Sequence, residues 1–305
     1  MFESAKSTAH PAIGQFAWNR LARPRLTPGQ IADKGQRSLR RLNEWGIRVP
    51  DNCRLIRSIR QLTEHRDDPA LLRRVDETGK QLMGESARTV LELYIATHCG
   101  QADPEPAVRS KFLEAVQGAD LPEYEEAHSA RDIQFELYLW GVINASGGAC
   151  RFAEPDLIRD YGDEEVGVAA KRIWSQLQAR KRLSSAAEQI AASGLRGFIA
   201  VNAQEYLTAD AGVVDLGVKG QAISDSLNRL YGHLPYIAKK AHVLGLFVGG
   251  TIYRWDIADD GSVAFDLTAI HQWLFLANDV AEEERAHRFS AAQEQRLAEW
   301  MAVNL

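Results

Sequence analysis

Apolar residues recur at helical spacing through most of the N-terminal part of the chain, and shorter runs of strand character follow Gly147-Gly148. That change of period is the first clue to organisation. Thr27-Pro28-Gly29-Gln30 joins an N-cap hydroxyl, a proline at the first helical position and the glutamine of a capping box, which predicts a helix to about Trp45. Asp68-Pro69 repeats the signal and opens a helix through Leu71, Leu72 and Val75 towards Leu82. Thr89 to His98 continues in helical style until Gly100. Roughly the first 120 residues read as helical.

Pro122 starts the longest helical pattern, through Ile133, Leu137, Trp140 and Ile143, and Gly147-Gly148 ends it. Five strand-like segments follow: Cys150 to Ile158, Glu165 to Ile173, Gly197 to Val201, Val243 to Trp255 and Val263 to Leu276. Helices are expected over about Ser185 to Ser193 and Lys219 to Ala241, and Asp260-Gly261 is a good hairpin turn. With no internal repeat or low-complexity tract, the fold class is α/β. The expected division is a helical region over roughly 1–120 and an α/β region over roughly 121–305, the latter carrying a C-terminal helix and hairpin extension.

Composition changes this picture little. A chain of 305 residues, 45 % hydrophobic, can bury a substantial core. Its formal net charge of -5 means that any affinity for a polyanion has to come from local basic patches. Cys53, Cys99 and Cys150 are too scattered for a disulfide framework or a zinc site, and the eight histidines show no zinc-ligand spacing. The segment from Gly245 to Thr251 is glycine-rich but lacks the lysine of a phosphate-binding loop. Met1 to His10 has no signal-peptide core and no apolar run would span a bilayer, so a soluble, cytoplasmic protein without a membrane partner is expected.

The chemistry concentrates after the long helix. Glu154 and Asp156, two apart in one predicted strand, share a face and can hold a hard divalent cation, since Mg²⁺ takes oxygen ligands from one or two carboxylates. Lys171, at the end of the next strand, can then offset charge on a scissile phosphate. Those are the minimum parts for phosphodiester hydrolysis. Removing Asp156 should abolish cleavage with little effect on folding, because a strand-end carboxylate belongs to the site more than to the core.

Glu154-Pro155-Asp156, a short turn, and a strand ending in Lys171-Arg172 resemble the PD-(D/E)XK nuclease superfamily over roughly Pro122 to Leu207. In that family the proline-aspartate pair and a later acidic-x-lysine triplet lie on adjacent strands. A glutamate often projects from the preceding helix, and a glutamine often follows in the next one. The resemblance implies a restriction-endonuclease-like mixed sheet flanked by helices and a Mg²⁺- or Mn²⁺-dependent nuclease, most simply of DNA. By position it makes Glu136, Asp156, Lys171 and Gln189 the catalytic set; together with Glu154 from the strand-face pair, the expected metal ligands are Glu136, Glu154 and Asp156.

One position departs from the pattern, because Ala169 stands where the acidic residue two before the lysine belongs. Either the site is degenerate, or Glu154 or Glu136 supplies the lost carboxylate. Replacement is favoured, because Glu136 lies in the stripe Ile133, Glu136, Leu137, Trp140, Ile143, where an unpartnered carboxylate is costly. A buried metal or a lysine would relieve that cost.

Arg172, Arg180, Lys181 and Arg182 are candidate phosphate contacts. The N-terminal region is also arginine-rich, with Arg20, Arg23, Arg25, Arg37, Arg40, Arg41, Arg54, Arg57 and Arg60. Such helices can track a nucleic-acid backbone or dock an acidic protein partner, and the sequence leaves both open. Three readings stand: an active nuclease, a nucleic-acid-binding module on a decayed nuclease fold, and an adaptor of a larger assembly such as a bacterial defence or repair system.

Overall fold

Thr27 caps the first helix as its spacing predicts. In the computed structural model its hydroxyl accepts from Gln30 N–H at 3.2 Å, and the Gln30 side chain accepts from Thr27 N–H at 2.8 Å. The structure describes residues 12–15, 25–65, 76–99, 104–121, 129–208, 225–257, 263–277 and 280–305. Helix α1 (Pro28–Glu44) buries Ile31, Ala32 and Leu42, and α2 (Arg54–Glu64) buries Leu55, Ile59 and Leu62. Both rest on α3 (Glu77–His98), whose N-cap Asp76 accepts from Gly79 N–H at 2.8 Å. The short α4 (Pro106–Ala115) lies against α5 (Ser129–Ala145), which also meets α3. Gly141 makes that last contact close, since a Cβ there would come within 2.8 Å of Ala96 Cα.

After α5 the chain turns at Gly147, in the left-handed conformation at φ 74°, and enters a mixed open sheet. Strands β3 (Cys150–Ala153), β4 (Asp156–Tyr161) and β5 (Glu164–Arg172) form an antiparallel meander. Helix α6 (Gln176–Ala192) then crosses to β6 (Gly197–Asn202), parallel to β5. Beyond it lie β7 (Val243–Ile257), parallel to β6, and β8 (Val263–Ala277), antiparallel to β7. Two short strands, β1 (Ala12–Gln15) and β2 (Arg25–Leu26), pair antiparallel with β8, within a stretch expected to be helical. The architecture is mixed α/β.

Strand alternation gives the sheet two buried faces. Val166, Val168, Ala170, Phe198 and Ala200 face the N-terminal helices, while Ala169, Ile199 and Val201 face α6 with its Ala179, Leu183, Ala186 and Ile190. Leu297 and Met301 of the final helix α7 to be met in this core, Val280–Asn304, join the first face. Lys34 of α1 donates to Asn304 O at 2.7 Å and ties the helical layer to that helix.

Three expectations change. The segment Cys150 to Ile158 is two strands rather than one, because Glu154-Pro155 forms the turn between them and proline has no N–H for a ladder. The helix expected from Ser185 begins at Gln176, its first turns obscured by Arg180, Lys181 and Arg182. Helical residues 225–231 and the turn Leu234–Ile237 stand where one helix to Ala241 was expected, interrupted at Gly232-His233. The Asp68-Pro69 start, the Pro122 start and the Asp260-Gly261 turn lie outside the described residues. Among the described residues no helix is long and apolar enough to cross a membrane.

Candidate functional site

The β4–β5 ladder ends with Leu157 opposite Val168, and Asp156 extends it with its side chain. Its Oδ2 accepts from Ala170 N–H at 2.7 Å, and its Oδ1 accepts from Gln189 Nε2 at 3.0 Å. Gln189, on the inner side of α6, also donates to Pro155 O and accepts from Lys171 Nζ at 2.7 Å. Lys171 Nζ lies 3.5 Å from Asp156 Oδ2 and closes the ring. Two adjacent strands and the crossover helix thus bring Asp156, Lys171 and Gln189 together. The lysine and aspartate side chains are only 15 % and 17 % exposed, so their charges are weakly screened.

Glu136, on α5, lies within electrostatic reach of this ring. Burial pushes its carboxyl pKa up; the Lys111 ammonium opposes that shift, while Asp156 adds to it and Lys171 lowers it. Glu136 therefore sits in the field of both central residues. Lys111 Nζ is 2.5 Å from Glu136 Oε2 and 4.8 Å from the centre of the Phe152 ring on β3. The apolar stripe around this carboxylate predicts a metal or a lysine beside it. A lysine from α4 stands there, and no local motif pointed to it.

Glu154 does not share a strand face with Asp156. It is an exposed residue of the turn before β4, so the shared strand face expected from their spacing is not formed. Ala169 is wholly buried in the apolar layer between the sheet and α6, where a carboxylate would be desolvated.

The basic residues divide between surface and interior. Arg37, Arg40, Arg180 and Lys181 are exposed, and Arg41 pairs with Glu44 at 2.9 Å. Arg182 lies over the Trp174 ring at 4.7 Å and Arg180 over Tyr236 at 4.9 Å. Arg54 is buried, donating to Ala115 O at 2.7 Å and to Gln134 Oε1 at 2.5 Å, and Arg57 meets Asp120 at 2.8 Å. Arg172, expected as a phosphate contact, is likewise internal, 2.7 Å from Glu205. Its neighbour Lys171 points the other way because successive strand residues alternate.

Arg172 opens into a buried polar network that the sequence reading missed. Arg88 lies 3.6 Å from Glu205 and 2.8 Å from Glu85, and Arg131 lies 2.7 Å from Glu85. Gln134 donates to Glu92 at 2.5 Å. Burial pushes the Glu205 carboxyl up, but Arg88 and Arg172 outweigh it and hold the pKa down at about 2. Glu92 goes the other way, raised by burial despite Arg88 and Gln134. A signal did exist: Glu85, Arg88 and Glu92 are three and four apart, on one face of their helix.

Among the described residues no three His, Cys, Asp or Glu side chains gather into a metal cage. Asp156 and Glu136 nonetheless offer hard oxygen donors, and the Asp156 charge raises the cost of ionising Glu136. Mg²⁺ uses one or two protein carboxylates and completes its shell with water and phosphate oxygens, so the two carboxylates are of the right chemical type for such an ion. No family model matches the chain, and neither the curated proteins nor the solved structures give a match.

Proposed function

We propose that this protein is a divalent-metal-dependent nuclease with a restriction-endonuclease-like core, acting on DNA at Asp156, Lys171, Gln189 and Glu136. The observation that carries the reading is the ring in which Lys171 meets both Asp156 and Gln189 at the mouth of β4 and β5, with Glu136 in the same field. The chain order supports it: a helix bearing the glutamate, an antiparallel meander bearing aspartate and lysine on adjacent strands, then a crossover helix bearing the glutamine. Asp156 and Glu136 would hold Mg²⁺ or Mn²⁺, which when bound acts as a Lewis acid and lowers the pKa of its water. Lys171 offsets negative charge on the phosphate, and Gln189 fixes the ammonium while also holding Asp156.

Incubating the protein with plasmid, linear duplex, single-stranded DNA and RNA in Mg²⁺, Mn²⁺ or EDTA tests the proposal. Cleavage should require the divalent ion, and Lys171→Met should lower its rate by about a hundredfold or more. Equal cleavage in EDTA, or a Lys171→Met protein as active as wild type, would sink it.

A second reading has its own support in the buried alanine at 169 and in the donors already facing both Asp156 oxygens. On that reading the protein binds nucleic acid without cutting it. Affinity would then be unchanged by EDTA and no substrate would be cut.

Either reading predicts a role for the exposed arginines of α1 if they meet phosphates. Replacing Arg37, Arg40 and Arg41 together by glutamine should weaken binding and flatten its salt dependence by about one to three counterions. An unchanged affinity and salt slope would assign this face to an acidic protein partner.

A further inference from the structure

Lys111 belongs to none of the expected site residues, yet it makes the closest contact to Glu136. Its Nζ is 2.5 Å from Oε2, and the two side chains are 26 % and 12 % exposed. The ammonium also rests 4.8 Å from the centre of the Phe152 ring, whose negative face favours a cation there. Lys111, on α4, is thus held on two sides, by Glu136 of α5 and by Phe152 on the first strand of the meander.

Charge counting gives the arrangement a meaning. Glu136 and Asp156 carry two negative charges, and Lys111 and Lys171 carry two positive ones, so the cluster is neutral as it stands. A divalent cation entering a neutral, half-buried cluster meets a like charge already on one of its ligands. Removing Lys111 would leave the cluster at one net negative charge and open Glu136 to the ion.

We infer that Lys111 is the built-in counter-ion of Glu136, holding the carboxylate where the divalent ion is to bind and competing with that ion for it. The inference rests on the reading of this cluster as a metal site. Lys111 is a positioning residue acting through Glu136, and it makes cation affinity a property of how α4 sits against the sheet. With α4 in place, Glu136 already has a cationic partner.

The test compares wild type, Lys111→Met, Lys111→Arg and the double variant Lys111→Met/Glu136→Gln at one fixed pH. Urea unfolding without divalent ions and calorimetric titration with Mn²⁺ and Mg²⁺ are read on each. Lys111→Met should unfold at lower urea than wild type without metal, and should bind Mn²⁺ at least about tenfold more tightly. Lys111→Arg should follow wild type in both respects. In the double variant the buried carboxylate has gone, so the urea midpoint should recover and the gain in Mn²⁺ affinity should vanish. Equal Mn²⁺ affinity in wild type and Lys111→Met, no cation binding by any variant, or a wild-type urea midpoint for Lys111→Met would each overturn the inference. Tighter Mn²⁺ binding in Lys111→Met with no nucleic-acid cleavage by any variant would uphold it and sink the nuclease reading. Metal-dependent cleavage with unchanged affinity would do the reverse.

Discussion

Asp156→Ala should bring metal-dependent cleavage below detection and, in the same protein, lower the stability of the fold by about 1–3 kcal/mol. On the proposed function, the loss of cleavage follows from removing the carboxylate to which Lys171 and Gln189 are fitted. The loss of stability follows from Ala170, whose buried N–H donates to Asp156 Oδ2 at 2.7 Å and would be left without an acceptor where water cannot easily reach. From sequence this carboxylate reads as dispensable to folding. Because it replaces a rung of the β4–β5 ladder, it is not. Gln189 keeps its bond to Pro155 O, so the helix stays anchored and the damage should be local. Single-turnover cleavage and urea unfolding of the same preparation check both parts. A variant with a tenth of the wild-type rate would remove Asp156 from the catalytic set, and wild-type stability would mean that Ala170 N–H finds another acceptor.

Glu205→Gln should be the more damaging change to the fold, costing about 3–5 kcal/mol at neutral pH, because it leaves Arg88 and Arg172 buried with one negative charge fewer. The size of this effect depends on pH. Glu205 is held at about 2 against its ordinary 4.5, so its carboxylate stabilises the folded chain fully above the ordinary value. That contribution disappears as pH falls from about 4.5 towards 2, since the unfolded chain takes up the proton first. The stability gap between wild type and variant should therefore be widest near neutrality and close through that acid window. Glu92, raised by burial, works in the opposite sense but equally in both proteins. Urea unfolding at a series of pH values reads the gap directly. A gap that stays constant from pH 7 to about 2.5 would mean that Glu205 owes nothing to its arginines.

The parts legible in the sequence were those carried by neighbours along the chain. The Thr27 capping box, the stop at Gly147 and the order of elements around Asp156, Lys171 and Gln189 each depend on a few consecutive residues or on one period. What escaped depends on distance. Lys111 reaches Glu136 across 25 positions and Arg172 reaches Glu205 across 33, and no periodicity encodes either pairing. Glu154 misled for a different reason. Two residues apart means one shared face only inside a strand, and Pro155 put a turn between them. The arginine run misled because charge was read as surface, whereas Arg54 and Arg172 are internal and partnered.

The outer edge of β8 has a consequence of its own. Its partners are β1 and β2, which stand near the opposite end of the chain, with Ala12 paired to Ala277 and Arg25 to Asp266. Almost every other element lies between them in sequence, so this pairing closes one of the longest loops among the described residues and gains little from local order. Until it closes, β8 presents a long row of unpaired backbone groups that could template another copy's strand. The two short N-terminal strands therefore act as a guard against self-association, and a chain lacking them would be exposed to edge-to-edge aggregation even with its candidate catalytic residues in place.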